Sequence, residues 1–222
     1  MTEREIHQLK QLTRFAHPAR AVESAVVRHG APVLAGIRPA AMFSCHTPAS
    51  KESNDAINAC RESLRPHGVC LHVLAQRDKG PLLYLFRPSL MHRVLATPQV
   101  SDSLTALGYN SSSLESCIEE IANRIHAYDS ITRPHVFWDF PHEIGYLLGY
   151  PPADVQEFIR RRGLGSKTSG TWCTYGCNRR AASAQHHFKR HHECKEAYWK
   201  LYVEGASAAD LAALGTLHVA WQ

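Results

Sequence analysis

The stretch that decides the fold is residues 138–163, WDFPHEIGYLLGYPPADVQEFIRRRG, which contains the signals of two short helices joined by a tight turn. Asp139 is placed to cap the first helix, and Pro141 lies near its first position, where a missing N–H is harmless. Glu143 falls in the first turn, where the helix dipole favours an anion. These residues predict a helix over 140–148.

The second half of the same stretch predicts the turn and the second helix. Gly149 suits the left-handed conformation that ends a helix, and Tyr150 leaves the α region because a proline follows it. Pro151 and Pro152 then start a second helix, so that the two-helix unit spans 139–162. The apolar residues predicted to face inward from this helix are Val155, Phe158 and Ile159.

Upstream of this unit the chain alternates between helical and strand-like patterns. Residues 33–45 contain a buried strand, in which Gly36 and Pro39 indicate a bend or an edge position. Residues 69–76 and 81–87 flank a polar turn with a glycine, a pattern typical of a β-hairpin. Helices are expected at 3–17, 18–30, 50–65, 89–96, around 104–107 and at 112–129. We therefore expect an α+β fold, with a small, mainly antiparallel sheet of about three strands covered by several helices.

The charge distribution suggests a division of the chain. Residues 1–165 are predicted to form one core, and residues 166–222 a basic, His- and Cys-rich helical extension packed on it. The candidate linkers are residues 130–137 and the Gly- and Ser-rich stretch 163–170. The basic residues that crowd into 160–200 are read either as a solvated helical face or as a surface for an acidic partner.

Composition narrows the class of protein. The chain has 222 residues, a formal charge of +5 and seven cysteines, an odd number at irregular intervals. No apolar signal region follows Met1, and no window approaches the roughly 18 consecutive apolar residues that a membrane helix needs. We expect a soluble, cytoplasmic protein with reduced thiols and no membrane partner. The sequence leaves the oligomeric state open.

A cluster of sulfur and imidazole side chains is the candidate metal site. Cys173 and Cys177 are four residues apart, as are His187 and His191, and helical geometry would place His187, His191 and Cys194 on one face. Such ligands suit zinc, iron or haem. The alternative is a basic, His-rich solvent face with two incidental cysteines. Transition-metal or haem handling is the leading functional hypothesis.

The two-helix unit also allows a DNA-binding interpretation. Its apolar spacing and central glycine are typical of a helix-turn-helix, and Arg160, Arg161 and Arg162 could meet phosphates. However, two prolines and Asp154 occupy the N-terminal end of the second helix, where base-contacting side chains belong. A DNA-binding regulator is therefore the alternative hypothesis.

Two residue pairs raise the question of catalysis. His142 and Glu143 could exchange protons, but neighbours on a helix point about 100° apart, so a structural role is favoured. Cys45 beside His46 could be a nucleophile, although a cysteine at a strand end is usually packed. The sequence has no phosphate-binding loop, nucleophile elbow or dinucleotide fingerprint. An enzyme with an unidentified reaction remains a third hypothesis.

Several motifs resemble those of a bacterial family, DUF3793. They are FPHEIG at 140–145, LGYP at 148–151, the early segment 33–45, Leu107-Gly108-Tyr109 and the later residues Trp172, Tyr175, Gly176 and Cys194. The resemblance extends over most of the chain and implies no activity, because the family has no assigned reaction. The candidate contacts to a tetrapyrrole or other cofactor are His142, Tyr150, Trp172 and Tyr175.

Overall fold

The computed structural model describes residues 18–131 and 139–219, with side chains up to residue 215. The helix predicted at 3–17 and most of the candidate linker 130–137 lie outside the described residues. No helix in these two ranges is both long enough and apolar enough to cross a membrane.

The helices and strands follow one another along the chain with short connections. The first half contains α1 (Pro18–Leu34), β1 (Ala40–Ser44), α2 (Lys51–Leu64), a 3₁₀ turn (Arg65–His67), β2 (Cys70–Ala75), β3 (Leu82–Phe86), α3 (Pro88–Leu95), α4 (Pro98–Ala106) and α5 (Leu114–Asp129). The second half contains α6 (Ile144–Leu147), α7 (Pro152–Arg160), β4 (Thr168–Ser169), β5 (Cys173–Thr174), α8 (Asn178–Val203) and α9 (Ala208–Val219).

The main sheet has the order β1-β3-β2, and both pairings are antiparallel. Phe86 of β3 pairs with Ala40 on one side and with Cys70 on the other. The predicted hairpin is confirmed as β2 and β3. The strand expected within 33–45 occupies only Ala40–Ser44 and lies at an edge, as Gly36 and Pro39 indicated. The α+β prediction with a small antiparallel sheet is confirmed.

Helices cover both faces of this sheet because alternate residues of β3 are buried on opposite sides. Leu82, Tyr84 and Phe86 belong to one hydrophobic cluster, together with residues of α3 to α7. Leu83 and Leu85 belong to a second cluster, together with residues of α1, α2 and α9. The described fold is therefore three layers deep, with the sheet in the middle.

Helix α1 differs from its prediction at its C-terminal end. The sequence predicts that it ends at Gly30, but it continues to Leu34. Gly30 lies against the sheet, where an added Cβ would come within 2.3 Å of Leu85 Cδ2. Glycine at this position permits close helix–sheet packing instead of ending the helix.

A buried arginine joins the C-terminal end of α1 to two other segments. The Arg87 guanidinium donates hydrogen bonds to the carbonyl oxygens of Val33 (2.7 Å), Leu34 (2.6 Å), His67 (3.0 Å) and Ala212 (3.2 Å). The bond to Leu34 is made to a carbonyl in the last turn of α1, where helix carbonyls lack partners within the helix. Because Ala212 belongs to α9, part of the segment 166–222 is built into the second cluster.

The two-helix unit is shorter than predicted. Helix α6 is a single turn, Ile144–Leu147, because the preceding peptide groups bond three residues apart: Ile144 N to Pro141 O and Gly145 N to His142 O. Its capping residue is Glu143 and not Asp139, so the predicted cap and the predicted start at 140 are wrong. Gly149 has φ +71°, which confirms its predicted left-handed conformation.

Helix α7 also differs in which of its residues are buried. Val155 is buried as predicted, but Ile159 is 41% exposed. Phe158 is half-buried and lines a cavity described below. In a helix of nine residues, only the face shared by Val155 and Phe158 reaches the body of the protein.

Candidate functional site

A cavity of about 250 Å³, here called the first cavity, lies between the α6–α7 unit and the segment of β4 and β5. Its wall is mainly apolar and includes Ile144, Val155, Phe158 and Trp172. Polar side chains also line it, namely those of His142, Asp154, Ser169, Thr171 and Cys173 and the hydroxyl-bearing ring of Tyr150. A concave, apolar site with few polar groups is typical of small-molecule binding sites.

One wall of the first cavity is a small hairpin that the sequence did not reveal. Thr168 pairs with Thr174, and Ser169 pairs with Cys173. The first strand of this hairpin lies within the predicted linker 163–170. Gly170 at its tip packs on α8, where an added Cβ would come within 2.4 Å of Phe188 Cδ2. Strands of two residues, rich in Ser and Thr, carry no alternating apolar signal.

Asp154 connects α7 to this hairpin. Its side chain is 4% exposed; Oδ2 accepts a hydrogen bond from Trp172 Nε1 (3.1 Å), and Oδ1 accepts one from the Tyr175 backbone N–H (2.9 Å). In the sequence alone, Asp154 is only an acidic residue that disfavours contacts between the second helix and DNA bases. The structure makes it the residue that orients Trp172.

Trp172 is the centre of an aromatic group. Its ring centroid lies 4.7 Å from that of Phe188, 5.7 Å from that of Tyr150 and 6.3 Å from that of His187. Two of the predicted cofactor contacts, Tyr150 and Trp172, are thus neighbours. Tyr175 is placed differently: its side chain is buried below the Arg161 guanidinium, and its contact with the site is the backbone bond to Asp154.

A second cavity, of about 320 Å³, lies on the other side of Tyr150 and Trp172. Tyr150, Asp154 and Trp172 line both cavities, so the two adjoin at these residues. The second cavity is basic, and its cationic or imidazole side chains are those of Arg38, Arg180, His187 and His191. Arg38 donates a hydrogen bond to the Tyr150 hydroxyl at 3.0 Å and lies over the Tyr150 ring.

His191 is a buried imidazole in this basic surrounding. It is 8% exposed, and its Nδ1 lies 3.4 Å from Thr171 Oγ1. Burial, reinforced by the positive charge of Arg38, lowers the pKa of His191 to about 4. The imidazole is therefore neutral at physiological pH.

The adjacent His142 and Glu143 point to different surroundings. Glu143 Oε1 accepts hydrogen bonds from Arg124 (3.0 Å) and from the Tyr109 hydroxyl (3.1 Å). His142 lies between the rings of Phe140 and Phe158, at centroid distances of 5.5 and 5.1 Å, and lines the first cavity. Glu143 therefore has a structural role, whereas His142 faces the candidate site.

The five predicted metal ligands are divided between different places. Cys173 lines the first cavity, and His187 and His191 line the second. Cys177 is exposed at the start of α8, and burial raises the pKa of the Cys194 thiol to about 11. Within residues 18–131 and 139–215, no three His, Cys, Asp or Glu side chains are grouped so that they could hold a metal ion.

Two other hypotheses from the sequence concern Cys45 and α7. Cys45 is buried, and its Sγ accepts a hydrogen bond from the Thr47 hydroxyl. Because burial also raises the pKa of its thiol, Cys45 is poorly suited to act as a thiolate nucleophile. On α7, Glu157 pairs with both Arg160 and Arg161. Two of the three arginines proposed to meet phosphates are thus partly neutralised within their own helix.

The comparisons with known proteins agree with the resemblance seen in the sequence. The model of the family described as "Protein of unknown function (DUF3793)" matches residues 26–212. No curated protein and no solved structure matches the chain. The matched region contains the sheet, the two-helix unit and both cavities. The chain therefore belongs to the DUF3793 family.

Proposed function

We propose that this protein binds a small organic ligand with a flat aromatic body in the first cavity. The observation that carries the proposal is the lining of the cavity. It combines the aromatic side chains of Phe158 and Trp172 with the polar side chains of His142 and Asp154. Aromatic walls favour flat rings through stacking and edge contacts. The few polar groups would orient a ligand, as is common in sites of this kind.

The size of the cavity favours a compact ligand. Its volume of about 250 Å³ lies just below the range of roughly 300–1,000 Å³ that is usual for small-molecule sites. A tetrapyrrole is the largest flat ligand in the proposed class and would need both cavities, with Tyr150 and Trp172 displaced from their contact. His142 in the first cavity and His187 and the neutral His191 in the second would then be the imidazoles that line the space around haem iron.

The other hypotheses have less support. A bare metal ion would need ligands that the described residues do not bring together. DNA reading by α7 would require a free N-terminal end, but Asp154 in its first turn is bonded to Trp172 and to Tyr175. No observation favours a particular reaction.

The test measures ligand binding by equilibrium dialysis, with naphthalene as a compact flat probe and haemin as a tetrapyrrole. We expect naphthalene to bind and haemin to bind more weakly or not at all. Ser169→Phe should abolish naphthalene binding, because Ser169 is an exposed residue on the cavity wall and the added ring would fill the space.

Lys167→Phe is the matched control, since Lys167 is exposed at the start of the same hairpin and is not among the lining residues of the first cavity. This variant should bind naphthalene as the unsubstituted protein does. If neither probe binds, or if both variants lose binding equally while remaining folded by circular dichroism, the proposal fails.

A further inference from the structure

The basic character of the second cavity goes beyond the proposed binding of a flat ring. Arg38 comes from the segment before β1, and Arg180, His187 and His191 come from α8. One carboxylate, that of Asp154, is among the lining groups. Its two oxygens already accept hydrogen bonds from Trp172 and Tyr175, so it is not directed at the arginines.

Within the described part of the chain, the two arginines of this cavity are not paired with a carboxylate of the protein, in contrast to Arg77 and Arg124. Arg77 is paired with Asp129, and Arg124 is paired with Glu120 and Glu143. Among the described residues, neither Arg38 nor Arg180 forms an ion pair with a carboxylate; the polar partner of Arg38 is the neutral Tyr150 hydroxyl. A guanidinium group that lines a cavity and has no ion pair with a carboxylate of the protein is suited to binding an anionic ligand.

Two further features make the same region electropositive. Arg180 lies in the first turn of α8, a helix of 26 residues whose first turn carries no acidic residue. The positive charges of Arg38 and Arg190 also contribute to the lowered pKa of His191. A carboxylate or phosphate placed here would be stabilised by the positive charges of Arg38 and Arg180.

We infer that the second cavity is an anion subsite, so that the ligand is an aromatic acid whose ring occupies the first cavity and whose carboxylate or phosphate meets Arg38 and Arg180. The assignment of the ring rests on the proposed function. The assignment of the acid rests on the second cavity alone. The two cavities share the wall formed by Tyr150, Asp154 and Trp172, so one molecule reaches both when Tyr150 and Trp172 move apart.

The test compares naphthalene with 2-naphthoate and 2-naphthyl phosphate in equilibrium dialysis. We expect at least one of the two acids to bind roughly tenfold more tightly than naphthalene, with an advantage that shrinks as salt is added. Arg180→Gln should remove most of this advantage and leave naphthalene binding unchanged. The acid that binds more tightly identifies carboxylate or phosphate as the preferred group.

Arg179→Gln is the matched control, because Arg179 is the preceding residue of α8 and does not line the second cavity. This variant should keep the advantage of the acid. Arg38→Gln serves as a second variant from a different segment and should also remove most of the advantage of the acid over naphthalene. The subsite is excluded if neither acid is preferred over naphthalene, or if Arg179→Gln and Arg180→Gln have equal effects.

Inorganic phosphate separates a failure of this inference from a failure of the proposed function. If naphthalene does not bind but phosphate does, and Arg180→Gln abolishes phosphate binding, the aromatic site falls and the anion subsite stands. If naphthalene binds and neither acid nor phosphate is held by Arg180, the subsite falls and the aromatic site stands.

Discussion

The indole N–H of Trp172 donates a hydrogen bond to Oδ2 of Asp154 across 3.1 Å, and both residues line both cavities. The carboxylate is buried, and its second oxygen is held by the Tyr175 backbone N–H. A helix and a hairpin that are separate in sequence are thereby fixed to each other. The shape of both cavities depends on that connection.

Trp172→Phe should lower the free energy of unfolding by about 1–3 kcal/mol, because it leaves one oxygen of the buried Asp154 without its donor. The measurement is urea unfolding of both single variants and of the double variant with Asp154→Asn. The double-mutant cycle should show a coupling of about 1 kcal/mol. Purely additive effects would show that the bond contributes nothing beyond packing.

Arg87→Met should be more damaging, with a loss of about 3 kcal/mol or more in the free energy of unfolding. The guanidinium bonds four backbone carbonyls, and its removal leaves the buried oxygens of Val33 and Leu34 without this donor. Arg93→Met, on the exposed side of α3, is the control and should change stability by less than about 0.5 kcal/mol. Equal effects of the two substitutions in urea unfolding would contradict this role.

Gly149→Ala should destabilise the protein through both its backbone and its contact with Pro39. Gly149 has φ +71°, and an added Cβ would lie 2.1 Å from Pro39 Cγ. Gly165→Ala is a matched control, because Gly165 has φ +70° but its Cβ would meet nothing nearer than Arg161 Nη1 at 3.6 Å. We expect a loss of about 1 kcal/mol for Gly165→Ala and at least twice that for Gly149→Ala in thermal or urea unfolding.

Acid should destabilise the protein partly through His191. Its pKa is about 4 in the folded protein and 6.5 as a free side chain, so the unfolded chain binds a proton first as the pH falls. Above pH 6.5 protonation of this histidine does not affect stability. Between pH 6.5 and 4 it lowers the free energy of unfolding by about 1–3 kcal/mol. In urea unfolding across this range, His191→Gln should show a shallower loss than the unsubstituted protein.

His192→Gln is the control for His191, since His192 is exposed on the same helix. His29 and His72 also have pKa values lowered by burial, so part of the acid sensitivity should persist in His191→Gln. If His191→Gln and His192→Gln change the pH profile equally, His191 is not the group responsible.

Thiol alkylation should distinguish Cys177 from the half-buried Cys60 and Cys194. Backbone N–H groups at the start of α8, that of Arg180 foremost, lower the pKa of the exposed Cys177. Burial raises the pKa of Cys60 to about 12 and that of Cys194 to about 11. With limiting iodoacetamide at neutral pH, mass spectrometry should find Cys177 modified before Cys60 and Cys194. Modification of Cys60 or Cys194, which are half-buried, before Cys177 would contradict this order of reactivity.

The local elements of the fold could be read from the sequence because their signals are local. The hairpin of β2 and β3 follows from two apolar runs around a glycine turn, and the turn at Gly149 follows from its glycine before a proline pair. Predictions failed where tertiary contact outweighs these signals. Gly30 did not end α1, because it packs closely on Leu85 of the sheet.

The candidate site, too, could be predicted where local signals suffice and could not be predicted where it depends on tertiary contacts. The sequence marked His142, Tyr150, Trp172 and His191 by residue type and motif, and the structure places all four around two adjoining cavities. The sequence could not reveal the role of Asp154, because its hydrogen-bond partners lie 18 and 21 residues away, in and next to a hairpin of two-residue strands.

The sequence by itself determined most of the helices, the three-stranded antiparallel sheet and the family, because periodicity, turn residues and motifs are properties of short stretches. Only the tertiary structure decided which side chains share a cavity. Trp172 and Arg38 line the same space because α8, the hairpin and the segment before β1 converge there, and such convergence depends on packing between distant segments.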